Sequence, residues 1–255
     1  AVLTGIRGRQ FNNYTGSLDS IGAIPSYDAM RTVITVLASG NPSINEKLVS
    51  GPYEVGGIAP MGAAYLFVKD RTIDTVSELS GKSIAVLEYD SAQASMASRV
   101  GMSPVMSDIT NFSGRFNNGS VDICFAPIAA YSALELYKGM QPDGGMIDYV
   151  LGQLTAQVIL KKDRFPDGFA NSSRKYMLGQ FDRAMTVIEN ANNEVDKKWW
   201  IRIPEADKLR YDEMMREARI ALTNDGVYSK DMMSLLRKVR CKEEPSRAEC
   251  VNPVE

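Results

Sequence analysis

The strongest constraint on this chain is an alternation of short apolar runs with helical stripes, which continues to about residue 161 and then stops. Ser83–Leu87 reads Ser-Ile-Ala-Val-Leu. Such a run, apolar on both faces, fits a strand covered on both sides, as in a parallel sheet. After it the pattern predicts helix over Ser91–Val100, strand over Pro104–Met106, helix over Thr110–Phe116, strand over Val121–Ala126 and helix over Ile128–Tyr137. That order predicts βαβ units and a parallel sheet with helices on both faces.

Upstream, Met30, Val33, Ile34 and Leu37 recur at helical spacing after Pro25 and Ser26, so Tyr27–Ala38 is expected to be a helix packed on a sheet. Tyr53–Ala59 and Ala63–Val68 read as two strands separated by a tight turn at Pro60-Met-Gly62. Val76–Ser80 reads as a helical turn stopped by Gly81, and Gln153–Lys161 as the last strand. Beyond Pro166 the pattern is helical. Met177, Phe181, Ala184 and Ile188 form one long stripe, Leu209, Met215 and Leu222 mark a helix after Pro204, and Lys230–Val239 closes the series.

Composition removes several chemistries. The chain has no His, which excludes Ser-His-Asp and Cys-His nucleophile systems, HExxH metal sites and imidazole acid/base work. No Walker motif or GxGxxG follows any strand, and no zinc set or calcium loop is present. No cofactor, no metal site and no enzymatic activity are therefore expected. A net charge of −2 gives no basic footprint for nucleic acid. No uninterrupted apolar run approaches the roughly 20 residues that a membrane-spanning helix needs.

Two segments remain as candidate ligand contacts. The polar stretch Arg7–Ser17 directly follows the first strand-like run, and ligands of open α/β sheets bind beyond strand carboxyl ends. Glu88, Tyr89 and Asp90 hold the equivalent position after Ser83–Leu87. A solvated loop is the plain alternative for the first, and a helix N-cap the plain alternative for Asp90.

The three cysteines differ in setting. Cys241 and Cys250 lie in a polar C-terminal segment containing Pro245. A bridge there would contribute roughly 2 to 3 kcal/mol in the chain-entropy model and would suit an oxidising compartment such as a periplasm. Two free thiols in a frayed tail are the alternative. Cys124 reads as a buried strand residue, a small core hydrophobe. The chain opens on Ala1-Val-Leu-Thr-Gly5, an apolar run where a mature secreted chain ordinarily starts in polar residues. The expectation is an interior strand with further chain upstream.

Leu79-Ser-Gly-Lys-Ser-Ile-Ala-Val86, followed by Gly119-Ser-Val-Asp-Ile-Cys-Phe-Ala-Pro127, resembles the second lobe of TRAP-transporter-type periplasmic solute-binding proteins. Those proteins carry a Leu-Lys-Gly-Lys-Ile-Arg-Val strand and then a Gly-X-Val-Asp strand ending in Asn-Pro. Gln157-Val-Ile-Leu-Lys-Lys-Asp-Arg-Phe-Pro166 is similar to the family's returning strand, and Ile203-Pro-Glu-Ala-Asp-Lys-Leu209 to the start of its C-terminal helices. The likeness in order runs through most of the chain, nearest to a little-characterised branch of solute-binding proteins.

The resemblance implies an α/β, two-lobed periplasmic-binding-protein-like fold (type II) with long C-terminal helices, its N-terminal β-α-β segment lying upstream. Residues 1–60 would form lobe 1, 61–127 lobe 2, 128–168 the return to lobe 1, and 169–255 the long connecting helix and C-terminal helices. The implied function is periplasmic capture of a small-molecule solute in an inter-lobe cleft for transport. Its partner would be a membrane transporter component, and a lipid anchor could lie in the upstream segment. Contacts would come from Thr4, Arg7, Arg9 and Gln10 in one lobe and Glu88, Tyr89 and Pro127 in the other, with Pro60 also shaping a crossing.

Where the family commonly places two carboxylate-binding Arg residues and an Asn, this chain aligns Ala85, Ala64 and Ala126. Loss of those groups removes bidentate carboxylate recognition and argues against a typical dicarboxylate. It also opens an alternative, an envelope accessory protein on the same scaffold without ligand capture.

Overall fold

A computed structural model describes residues 1–254 of the chain. The strands are β1 (Val2–Thr4), β2 (Val49–Ser50), β3 (Tyr53–Val68), β4 (Ser83–Leu87), β5 (Ser103–Ser107), β6 (Ile123–Pro127), β7 (Gly145–Ile147), β8 (Gly152–Lys161) and β9 (Trp200–Ile201). They form one mixed open sheet whose main path is β1-β8-β3-β6-β4-β5. The chain divides into two compact units. Unit 1 comprises Ala1–Gly62, Gly152–Val187 and Arg219–Glu255, and unit 2 comprises Ala63–Leu151 and Ile188–Ala218.

In unit 1, β1 runs antiparallel to β8, and β2 antiparallel to the start of β3. The parallel sheet expected from sequence is therefore confined to unit 2, where β5, β4 and β6 are parallel and β3 joins them antiparallel. Helix Tyr27–Leu37 buries Met30, Val33, Ile34 and Leu37. This is the i, i+3, i+4, i+7 face read from the sequence. Ser26 Oγ accepts the N–H of Ala29 at 2.9 Å and starts the helix. Leu18, Ile24, Leu48, Met233 and Leu236 complete the same core. Full burial of each such side chain stabilises by about 1.5–3 kcal/mol. In unit 2, Leu66, Phe67, Ile84, Val86, Phe116 and Ile123 are likewise sealed from solvent.

Four local expectations change. No turn interrupts Tyr53–Val68, because Gly62 takes φ 103° and absorbs the bend within one continuous strand. The helix expected over Ile128–Tyr137 is two short helices, Ala130–Ala133 and Tyr137–Met140, broken where Glu135 adopts φ 52°. The single stripe from Met177 to Ile188 is shared by two helices, Phe169–Gly179 and Phe181–Asn193, which meet at Gln180. Finally, β7 and β9 form a short parallel pair, Met146 opposite Trp200. A Cβ on Gly145 would lie 2.5 Å from the Trp199 carbonyl oxygen, so only glycine permits that approach.

Cys241 and Cys250 are joined by a disulfide with a Cα–Cα distance of 5.5 Å. Between them Glu249, 4% exposed, accepts from Arg240 Nε at 3.0 Å. Arg240 also donates to the Ala23 carbonyl at 2.8 Å and Arg219 to the Ile21 carbonyl at 3.0 Å. The C-terminal cap is thus clamped to the segment that follows the first candidate edge. Cys124 is fully buried, and burial pushes its thiol up to about 12. Among the described residues no helix is long and apolar enough to cross a membrane.

Candidate functional site

In unit 1 the pairing of Thr4 with Ala156 brings the carboxyl end of β1 and the start of β8 to one strand edge. The polar stretch after β1 is not an open loop. It folds as two four-residue helices, Gly5–Gly8 and Asn13–Gly16, and a 3-10 turn, Ser17–Asp19. Thr4 Oγ1 accepts the N–H of Arg7 at 3.2 Å, and Asn12 Oδ1 that of Thr15 at 2.9 Å, so both act as N-caps.

These turns rest on a buried polar network that sequence reading missed. Gln153, Thr155 and Gln157 are alternate residues of β8 and point to one face. Asp19 accepts the N–H of Thr155 at 3.1 Å, its hydroxyl at 2.6 Å and the N–H of Ile6 at 3.2 Å. Gln157 donates through Nε2 to the Thr15 carbonyl at 2.8 Å, and its Oε1 accepts from the Thr15 hydroxyl at 2.9 Å. Burial pushes the Asp19 carboxyl up to about 7, against the opposing pull of Thr155, Arg9 and the Ile6 N–H. A Cβ on Gly5 would lie 2.4 Å from Asp19 Oδ1, so glycine is required where this helix meets the network.

The network fixes which predicted side chains face outward. Arg7 and Gln10 are exposed, and Thr4 is half-buried. Arg9 turns inward: it is half-buried, with its guanidinium 5.2 Å from the Tyr228 ring centroid. Gln153, 3% exposed, has a buried Oε1 with no hydrogen-bond partner among the described residues. It lies on β8 three residues from Ala156, past the Thr4 pairing, which adds a buried amide to this edge. The signal was present as Gln-Leu-Thr-Ala-Gln, polar at every second position of an apolar strand.

In unit 2, Ala85 pairs with Cys124 on the parallel neighbours β4 and β6. β4 ends at Leu87 and β5 at its partner Ser107, so Glu88 follows β4 directly, and Pro127 is the last residue of β6. Glu88 is exposed, and Tyr89 and Pro127 are half-buried. Asp90 takes the capping role: its Oδ1 accepts the N–H of Gln93 at 3.1 Å and starts helix Ser91–Arg99. Gln93 was not anticipated. It is 8% exposed, and its Nε2 has no partner among the described residues. On the same edge Asp108 folds its own loop, accepting from the Thr110 N–H and hydroxyl and from the Asn111 N–H, which hold its carboxyl below the usual range. Ala64, Ala85 and Ala126 are all buried, at 0%, 3% and 1% exposure, and bring no polar side-chain atom to the edge.

Each unit thus presents polar side chains at a strand end, with no paired acids, no activated nucleophile and, among the described residues, no cluster able to hold a metal. Such a set can bind by hydrogen bonds and shape. Residues 1–254 match the family described as Solute-binding protein AdeT 1/2. The chain is 44% identical over 250 residues to the probable solute-binding protein AdeT1 of Acinetobacter baumannii, covering 98% of this chain and 82% of that protein. It is 27% identical over 235 residues to the probable solute-binding protein AdeT2 of the same organism, covering 92% and 98%. Its fold matches a TRAP periplasmic solute binding protein from Desulfovibrio salexigens with bound orotic acid, at TM-score 0.78 and 16% identity over 94% of this chain and 79% of that one. Another from Shewanella oneidensis, with bound succinate, matches at TM-score 0.72 and 12% identity over 93% and 78%.

Proposed function

The chain belongs to the AdeT 1/2 family of solute-binding proteins, which are not enzymes, and from that premise we propose that it captures a small solute in the periplasm and hands it to a membrane transporter component. The observation that carries this reading is the parallel run of β5, β4 and β6, with Glu88 and Tyr89 just beyond the carboxyl end of β4 and Pro127 at that of β6. Ligands of open α/β sheets bind beyond such edges. Thr4, Arg7 and Gln10 hold the corresponding position after β1, supported by Gln153. On this reading the two compact units are the two lobes, Arg9 is a packing residue, and Arg7 supplies positive charge to the solute.

Alanine at 64, 85 and 126 argues against a typical dicarboxylate, because none of the three can donate to a carboxylate. The disulfide supports an oxidising compartment. The same three buried alanines favour the second reading, an envelope accessory protein on this scaffold without ligand capture. Mass spectrometry of the natively purified protein, with a thermal-shift screen of small metabolites, separates the two. A retained or stabilising solute supports capture, and no hit across broad panels supports the accessory role.

A further inference from the structure

Unit 1 contains a cavity of about 260 Å³ that belongs to neither edge described above. It lies where β8 ends and β3 begins, lined by Lys162, Glu54 and the first turns of helix Phe169–Gly179. Lys162 is six residues along the chain from Ala156, the partner of Thr4. At about 3.4 Å per residue that is roughly 20 Å from the Thr4 edge.

The walls carry unmet hydrogen-bonding capacity of both kinds. Arg174 is 3% exposed and spends its Nη atoms on Glu54 Oε1 at 3.0 Å, the Val55 carbonyl at 2.8 Å and Asn45 Oδ1 at 2.9 Å. Its buried Nε–H has no acceptor among the described residues. The helix begins at Gly168, φ 77°, with no side-chain cap, and Ala170 and Asn171 fall among the first residues whose N–H groups lack intrahelical partners. Lys162, Ala170, Asn171 and Arg174 all line the cavity. Helix N-termini of this kind favour anions.

The same cavity holds acceptors. Asn171 Oδ1 is buried with no donor among the described residues, and Asp167 also lines the cavity. Formal charge on the walls cancels: Lys162 and Arg174 stand against Glu54 and Asp167. A simple anion would meet Asp167 unfavourably, and a simple cation would meet Lys162 and the helix N-terminus. A zwitterion satisfies both. Phe165, stacked on Phe169 with ring centroids 4.8 Å apart, adds an apolar wall. The volume lies below the roughly 300–1,000 Å³ typical of drug-sized ligands.

We propose that this cavity is a second small-molecule site, for a free amino acid of small side chain. Its carboxylate is held by Lys162, the helix N-terminus and the Arg174 Nε–H, and its ammonium by Asn171 Oδ1 and Asp167. The test is a nitrogen-15 NMR titration of the full chain with L-alanine, with L-lactate and ethylamine as arms that lack the ammonium and the carboxylate. The expected result is saturable shifts confined to the amides of residues 168–171 and the Arg174 Nε–H, with lactate and ethylamine at least tenfold weaker. Lys162→Glu and Asp167→Asn, both at exposed positions, should each weaken alanine at least tenfold. Arg7→Ala should leave it unchanged, which separates this site from solute capture at the strand edges. The proposal is overturned by no saturable shift into tens of millimolar, by lactate or ethylamine binding as well as alanine, by both variants binding like wild type, or by shifts centred on Thr4–Gln10.

Discussion

Removing the carboxylate of Glu249 should destabilise unit 1 by about 3–5 kcal/mol. Glu249 is 4% exposed and receives Arg240 Nε at 3.0 Å, with Arg219 Nη2 and Arg247 Nη1 each 3.9 Å away. Arg240 is itself 0% exposed, so Glu249→Gln takes a carboxylate away from a buried guanidinium, the costly way to break a buried pair. The disulfide secures the same helix, Ala248–Val251, across a sequence separation of 9. Closing a loop of that size contributes about 2.5–3 kcal/mol in the chain-entropy model. Because bridge and ion pair hold one element, the losses should not add. Glu249→Gln, the double Cys241→Ser/Cys250→Ser, and the combination form a cycle measurable by urea unfolding. The combined loss should fall short of the sum by about 0.5–3 kcal/mol, the range for groups that share a contact network. A cost below about 1 kcal/mol for Glu249→Gln, or additivity within about 0.5 kcal/mol, would refute the clamp. Burial alone would raise the Glu249 carboxyl, but its backbone N–H, Arg240 and Arg219 outweigh it and hold the carboxyl below its ordinary 4.5. Its stabilisation is therefore present above pH 4.5 and lost as pH falls through the lower folded value, an acid limb that Glu249→Gln should flatten.

Asp19 runs the other way. With its carboxyl raised from 3.8 to about 7 by burial, its stabilisation is full below pH 3.8 and is lost as pH rises through 7. Unfolding of wild type against Asp19→Asn should show wild type losing ground from pH 4 to 8, and a pH-independent difference would contradict this. A Cβ at Gly16 would lie 2.3 Å from Arg9 Cα, so Gly16→Ala should cost about 1–3 kcal/mol, whereas Gly114→Ala, with nothing within 4 Å, should gain about 0.5–1 kcal/mol. Equal midpoints for the two variants would remove the steric reading. Cys124, buried and with its thiol raised to about 12, should resist iodoacetamide at pH 8 until the protein unfolds, and prompt modification of the native protein would show otherwise.

What the sequence disclosed was the part of the structure governed by local pattern. Ile84, Ala85 and Val86 lie buried between parallel neighbours, Met30 to Leu37 form the buried helix face, and Asp90 caps its helix. Long-range pairing was not legible. The contacts of Asp19 with Thr155 span 136 residues, and neither residue type announces burial. The β7 and β9 strands have three and two residues, too short for a period to register. Pro60 and Gly62 read as a turn because sequence cannot show that one positive φ suffices to bend a strand without ending it. At the candidate edges Glu88 and Tyr89 were read from the end of a strand and Pro127 from the family resemblance, whereas Gln93 and Gln153 emerged only when their burial was seen.

The central claim is that the protein captures a solute through side chains at its strand ends. Isothermal titration with the solute recovered from natively purified protein tests it most directly, in wild type, Arg7→Ala and Glu88→Ala. Both side chains are exposed, so folding should be unaffected. Saturable binding is expected, with affinity reduced about tenfold or more in at least one variant, the loss of a charge-assisted hydrogen bond worth about 1.5–3 kcal/mol. Unchanged affinity in both variants would contradict it.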